Sequence, residues 1–295
     1  MSAARATDTL EWSRYGTDDQ AGALNEITTA TTARAARLVR QGRVFDLAHV
    51  LDASVPSFGD RTFTQRIAER APAGGIGENR VHWIAERFEA TTQMGTHMDG
   101  LNHLHVDDLA YNGNRISQIT ADFGTTRLGV ETLPQVLTRG VLLDIAATRG
   151  VTSLELGDVI TVDDVERTLS RMHLQLQAGD AVLFHTGWGR HWHDAPARYT
   201  EGEPGPGMAV AEYLADHRVA ITGCDTWSFG PVPSEDPDRP FAVPQFLNVR
   251  YGVIVVENLF LDEIARSDVA EFLFIVAHPK LRGATGAWVA PLAVI

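Results

Sequence analysis

Short apolar runs rich in β-branched residues alternate along this chain with segments of helical period, and that alternation restricts the fold more than any other property of the sequence. The runs are Val44 to Leu47, Val141 to Ile145, Ala181 to His185, Val219 to Thr222, Val253 to Val256 and Phe272 to Ala277. Between them the spacing predicts helices over Thr31 to Gln41, Val162 to Met172, Met208 to His217 and Leu259 to Ile264. Strands this short, separated by helices, specify a mixed α/β chain. By periodicity alone its sheet would be doubly wound. Thr161 or Asp163 stands where it can cap the second helix, and Gly205 to Gly207 marks the entry of the third.

A chain of 295 residues can hold one large domain or two small ones. With no internal repeat and no low-complexity linker, a single domain from Met1 to Ile295 is expected. Asp60 to Glu78 and His191 to Gly207 lack periodicity and read as surface loops near a pocket. Phe229 to Pro244, with five prolines and several acids, is either an ordinary loop or a wall or lid of a site.

Lys and Arg number 25 against 38 Asp and Glu, a formal charge of −13 with no basic run, which argues against nucleic acid or an anionic membrane as partner. Cys224 is the only cysteine, so an intramolecular disulfide framework and a multi-cysteine zinc cluster are excluded. Met1 to Arg14 carries no apolar stretch of the secretory kind, and no apolar run reaches transmembrane length. A cytoplasmic, soluble protein with a small-molecule substrate is the expectation.

The chemistry concentrates in Gln93-Met94-Gly95-Thr96-His97-Met98-Asp99-Gly100-Leu101-Asn102-His103. On an extended strand His97 and Asp99 project from one face, so an imidazole nitrogen and a carboxylate oxygen can reach one divalent cation. Gly95 and Thr96 are small enough for the backbone to turn closely beside an ion. His103 would approach after a turn through Gly100, as a general base for an activated water. A polar loop whose side chains only cap neighbouring backbone is the competing reading of the same residues.

Other residues are less committed. Glu257 ends the run Val253 to Val256, where a buried carboxylate needs a partner such as a metal, unless it caps a helix at Leu259. His185 ends a strand, and strand ends deliver side chains to sites. His105 and His278 complicate any simple count of ligands; His191 and His193 could line a pocket, although exposed loop histidines are usually only solvated. Cys224 reads as a small buried hydrophobe. Trp188, Trp192 and Trp227 suit either a flat unsaturated substrate or core packing.

The string Gly95-Thr96-His97-x-Asp99-x-x-x-His103 resembles the core motif of the metal-dependent cyclase family, which includes bacterial kynurenine formamidase and isatin hydrolase. Tyr15 to Asn25, Gly223 to Trp227 and Glu271 to Gly286 resemble the longer bacterial members, so the likeness covers most of the chain. It implies a swivelling β/β/α domain, a barrel-like sheet flanked by helices, assembled as a homodimer or homotetramer. It also implies His97, Asp99 and Glu257 as metal ligands and His103 as the catalytic base. Gln93 and Gln245 stand where the formamidase branch carries histidine ligands. A carboxamide oxygen is a harder, uncharged donor, which favours one divalent ion, manganese or zinc, over a binuclear centre. The implied activity is metal-dependent hydrolysis of a lactone, cyclic imide or amide, or aryl formamide. A non-catalytic binding protein and a metal-assisted isomerase or dehydratase are the alternatives.

Overall fold

β-branched and aromatic runs form one mixed sheet in the computed structural model, which describes residues 14 to 295. The reading of Met1 to Arg14 as lacking a signal therefore falls, Arg14 apart, outside the described residues. The strands of this sheet are β1 (Val44–Asp46), β4 (His97–Asp99), β5 (Val136–Asp144), β6 (Ala181–His185), β7 (Ile221–Cys224), β8 (Ile254–Glu257), β9 (Glu271–Val276), β10 (Gly286–Trp288) and β11 (Leu292–Val294). A separate hairpin pairs β2 (Phe63–Arg70) with β3 (Ile84–Ala90). The spatial order is β1-β11-β9-β5-β6-β7-β8-β4-β10, curled into a half-barrel. Only β5, β6, β7 and β8 run parallel; the strands on either side are antiparallel. The doubly wound sheet suggested by periodicity is thus replaced by the barrel-like sheet that the family resemblance implies.

The parallel strands are apolar on both faces, as strands covered on two sides must be. Val141, Leu143, Val182, Phe184, Val253 and Val255 point into one cluster. Their neighbours Leu142, Leu183, Ile254 and Val256 point into the other, with Phe45, Met98 and Phe274. The first face is covered by α1 (Val162–Met172) and α2 (Met208–Asp216), which contribute Val165, Leu169, Val210 and Leu214. Thr161 caps α1 in a capping box with Asp164, and Gly207 precedes α2 as anticipated.

Several boundaries moved for identifiable reasons. The strand anticipated from Val141 begins at Val136, and Ile145 already belongs to a short helix capped by Asp144. Leu259 bridges to Ala48, delaying the anticipated helix to Asp262. Asp60 to Glu78 contains strand β2 rather than only a loop: its strand residues are nearly all exposed, so no buried face writes a two-residue period into the sequence. His191 to Gly207 holds two short helices, His191–Asp194 and Pro196–Glu201. No helix among the described residues is long and apolar enough to cross a membrane.

This topology leaves Asp144, His185 and Glu257 at the carboxyl ends of β5, β6 and β8, with Asp225 one residue past β7. In open α/β sheets that edge is where ligands bind.

Candidate metal and acid-base site

Gly95 adopts φ +64, a left-handed conformation that suits glycine, and turns the chain into β4. Thr96 holds the turn: its Oγ1 accepts the His49 N–H at 2.9 Å and donates to the Asn258 carbonyl at 2.6 Å. His97 then pairs in register with Glu257, joining two segments far apart in sequence. His97 Nδ1 lies 2.9 Å from the Gly95 carbonyl, to which it donates, so the neutral ring carries its lone pair on Nε2.

That Nε2 is 3.2 Å from Glu257 Oε2 and 3.7 Å from Asp99 Oδ1, and Asp99 Oδ1 is 3.9 Å from His103 Nε2. His97 is fully buried, Asp99 is 2% exposed and Glu257 6%, a costly placement for two carboxylates. His97 Nε2 and Asp99 Oδ1 have no aligned hydrogen-bond partner; the contact to Glu257 has the length of one without the geometry. Burial pushes the Glu257 carboxyl up, and the Asp99 charge pushes it further. Burial opposes protonation of His97, but the contact and charge of Glu257, with the Asp99 charge, outweigh it and raise its pKa. Two buried carboxylates beside one imidazole carry a charge that a bound cation, or a proton on His97 or Glu257, would offset.

His103 is a quarter exposed at its side chain and lines a cleft of about 100 Å³ with Asp99 and Glu257. The opposite wall is aromatic: Phe58 stacks on Trp227 with ring centroids 4.6 Å apart, and Phe241 packs against both. Arg61 adds a cation, and Phe241 and Pro244 bring the proline-rich segment into the wall. The functional reading of Phe229 to Pro244 is the one this geometry supports.

The two carboxamides are engaged beside the carboxylates rather than among them. Gln93, 6% exposed, donates through Nε2 to Thr285 Oγ1 at 3.0 Å and lies 3.4 Å from His103 Nδ1. Gln245 Nε2 donates to the His105 carbonyl at 2.9 Å, and Gln245 does not line the cleft. Of the anticipated set, the structure brings His97, Asp99, Glu257 and His103 together, with Gln93 against His103.

Asn258 was missed by sequence reasoning. Its Nδ2 donates to the Gly95 carbonyl at 3.0 Å and its Oδ1 accepts Tyr199 Oη–H at 2.8 Å, so it ties both halves of the cluster. Its φ of +56 is tolerated by Asn better than by most residues, and a polar residue directly after Glu257 was the available signal. Glu203, fully buried, was also missed: its Oε2 accepts the N–H groups of Trp227 and Ser228 at 2.8 and 3.1 Å and fixes the cleft wall. Burial, then the Glu257 charge, pushes its carboxyl far up. Cys224 is buried as anticipated, and Trp188 and Trp192 pack in the interior.

A second group, His185, Asp225 and Asp262, places ligand atoms within 4.8 Å of one another and could hold a metal ion. Both ring nitrogens already face carboxylates: Nδ1 is 2.9 Å from Asp144 Oδ1, and Nε2 is 3.2 Å from Asp262 Oδ1 and 4.0 Å from Asp225 Oδ2. Burial opposes its protonation, yet these acids raise the His185 pKa to about 10. Without an ion in the cluster, the imidazolium would supply the positive charge there at neutral pH. Asp225 is further held by the N–H groups of Thr186 and Gly187 at 2.9 and 2.8 Å.

This arrangement has a pH signature. A pKa of about 10 in the folded chain, above the ordinary 6.5, gives stability that is complete below pH 6.5 and fades as pH rises through 10. The wild type is expected to lose on the order of a few kcal/mol between pH 7 and 10 from this group, and His185→Gln to lose far less over that interval. Urea unfolding at several pH values measures the difference. Parallel curves for the two proteins would show that His185 is not the titrating group.

The sequence pattern of the Cyclase family matches residues 45–231 of the chain. Among solved structures, a novel cyclase superposes with a TM-score of 0.88 at 28% identity, covering 97% of this chain and 99% of that one. Isatin hydrolase A from Ralstonia solanacearum gives 0.64 at 22% identity, over 91% of this chain and 98% of its own. A predicted metal-dependent hydrolase from Bacillus stearothermophilus gives 0.53 at 20% identity, over 85% and 97% respectively. These last two likenesses concern the fold. Among curated proteins none matches the chain.

Proposed function

The chain belongs to the Cyclase family, and from that premise we propose that it is a metal-dependent hydrolase of a small carbonyl compound: a lactone, a cyclic imide or amide, or an aryl formamide. The observation that carries this reading is His97 Nε2, buried and without an aligned partner, standing 3.2 Å from Glu257 Oε2 and 3.7 Å from Asp99 Oδ1, two carboxylates that line a cleft together with His103. That donor set fits a divalent cation: one imidazole and two carboxylates whose charges it would neutralise. Oxygen-rich ligation favours manganese, with zinc next. Held by His97, Asp99 and Glu257, such an ion would polarise a carbonyl and bring the pKa of a water towards neutrality.

The remaining chemistry belongs to the protein. His103 takes the proton of the attacking water at Nε2 and returns it to the departing nitrogen or oxygen. Asp99, 3.9 Å from that nitrogen, stabilises the imidazolium formed between the two transfers. The Phe58, Trp227 and Phe241 wall holds a flat substrate and keeps bulk water from it, and Arg61 lies where a carboxylate product can be met. The isatin hydrolases named among the structural neighbours are consistent with a cyclic amide as one such substrate. The hairpin of β2 and β3 exposes Ile67, Ile84 and Phe88, which supports assembly into a homodimer or homotetramer.

The test is turnover of a panel of aryl formamides, cyclic imides and unsaturated lactones in oxygen-18 water. One solvent oxygen per turnover is expected in the carboxylate product, with activity abolished by chelation and restored by manganese or zinc. Saturable binding with no product would make the chain a binding protein. Product without label would make it an isomerase or dehydratase.

A further inference from the structure

We propose that Gln93 is the positioning residue of His103: its carboxamide oxygen accepts the Nδ1 proton and fixes the tautomer whose Nε2 lone pair faces the cleft. The inference rests on the reading of His103 as general base. Gln93 occupies a position where imidazole would be a metal ligand, but its amide is spent on other partners. One end meets Thr285 Oγ1 at 3.0 Å and His103 Nδ1 at 3.4 Å; the other meets Thr92 Oγ1 at 2.8 Å. The amide end also lies against Gly286, where an added Cβ would stand 2.6 Å from Gln93 Nε2, so the side chain is held on that side as well.

The orientation of a carboxamide is decided by its partners, because its oxygen and nitrogen are nearly isosteric. With Nε2 towards His103, Gln93 donates to Nδ1, the ring proton moves to Nε2, and His103 has no lone pair to offer water. With the amide turned over, Thr285 Oγ1–H and His103 Nδ1–H both donate to Oε1, while Nε2–H donates to Thr92 Oγ1. Both threonine hydroxyls can donate or accept, so the reversal costs no hydrogen bond. Only the second arrangement leaves Nε2 basic. A neutral acceptor has a further merit here: a carboxylate at Gln93 would add a third negative charge beside Asp99 and Glu257.

The experiment uses full-length protein loaded with zinc, a diamagnetic ion, and labelled with nitrogen-15 histidine, the His103 signals being assigned by their loss in His103→Ala. The wild type is expected to show His103 protonated at Nδ1, and Gln93→Leu to shift it towards the Nε2-protonated form. Gln93→Leu should retain the metal content of the wild type and lower kcat by about tenfold to a hundredfold with KM within about threefold. Gln93→Glu, which keeps an acceptor, should restore the Nδ1-protonated form and part of kcat. Loss of metal in Gln93→Leu would make Gln93 a ligand and overturn the proposal, as would an unchanged tautomer. Should the wild type hydrolyse nothing, the functional reading fails, while the nitrogen-15 spectra and metal content still decide the role of Gln93.

Discussion

Replacing His103 by alanine is expected to lower kcat by about 10²–10⁴-fold while the metal content and fold of the chain persist. The side chain is a quarter exposed and touches the cluster only through the 3.9 Å contact to Asp99, so little packing is lost with it. His103 lines the cleft, and its Nε2 is the ring nitrogen that faces Asp99. Steady-state kinetics with metal analysis on the same preparation measure both quantities. Adding Gln93→Leu to His103→Ala should cost nothing further in kcat, since a residue that acts through His103 has nothing left to act on. A further loss would show that Gln93 works through another group.

Asp99→Asn should have the other large effect, on metal and stability together. The substitution keeps shape and removes the charge that stands 3.7 Å from His97 and 3.9 Å from His103. Metal content should collapse, and activity should fall by more than the hundredfold typical of residues that merely back a ligand. Stability should move the opposite way when metal is absent. Asp99 and Glu257 repel one another in the buried cluster, and that repulsion is part of what raises the Glu257 pKa. In chelator, Asp99→Asn is expected to melt at or above the wild-type temperature; with manganese or zinc added, the wild type should be stabilised and the variant should not. A variant less stable than wild type in chelator, yet still responsive to metal, would place Asp99 in a structural role.

The parts of this site that sequence could reveal are those written locally. His97 and Asp99 sit two apart on a strand, Gly95 and Gly100 flank them, and Glu257 ends an apolar run; each follows from periodicity and the cost of a buried charge. The meeting of His97 with Glu257 does not, because an antiparallel pairing across such a sequence separation leaves no local trace and was legible only through the family resemblance. Residue type was also easier to read than direction. Gln93 and Gln245 carry ligand-type oxygens, but the hydroxyls of Thr92 and Thr285 and the His105 carbonyl decide where those amides point. His185 was recognisable as a strand-end histidine, while the acids around it come from Asp144, Asp225 and Asp262, brought together by the parallel order of the central strands. The hairpin left little trace, because Phe63–Arg70 buries so little that its sequence resembles a loop.

The location of the ion tests the account most directly. Crystals grown with manganese or zinc and measured at the absorption edge of the metal should give one anomalous peak per chain, bounded by His97 Nε2, Asp99 and Glu257, with Gln93 still on His103. A peak among His185, Asp225 and Asp262 with none at His97, or no peak at either cluster, would contradict it.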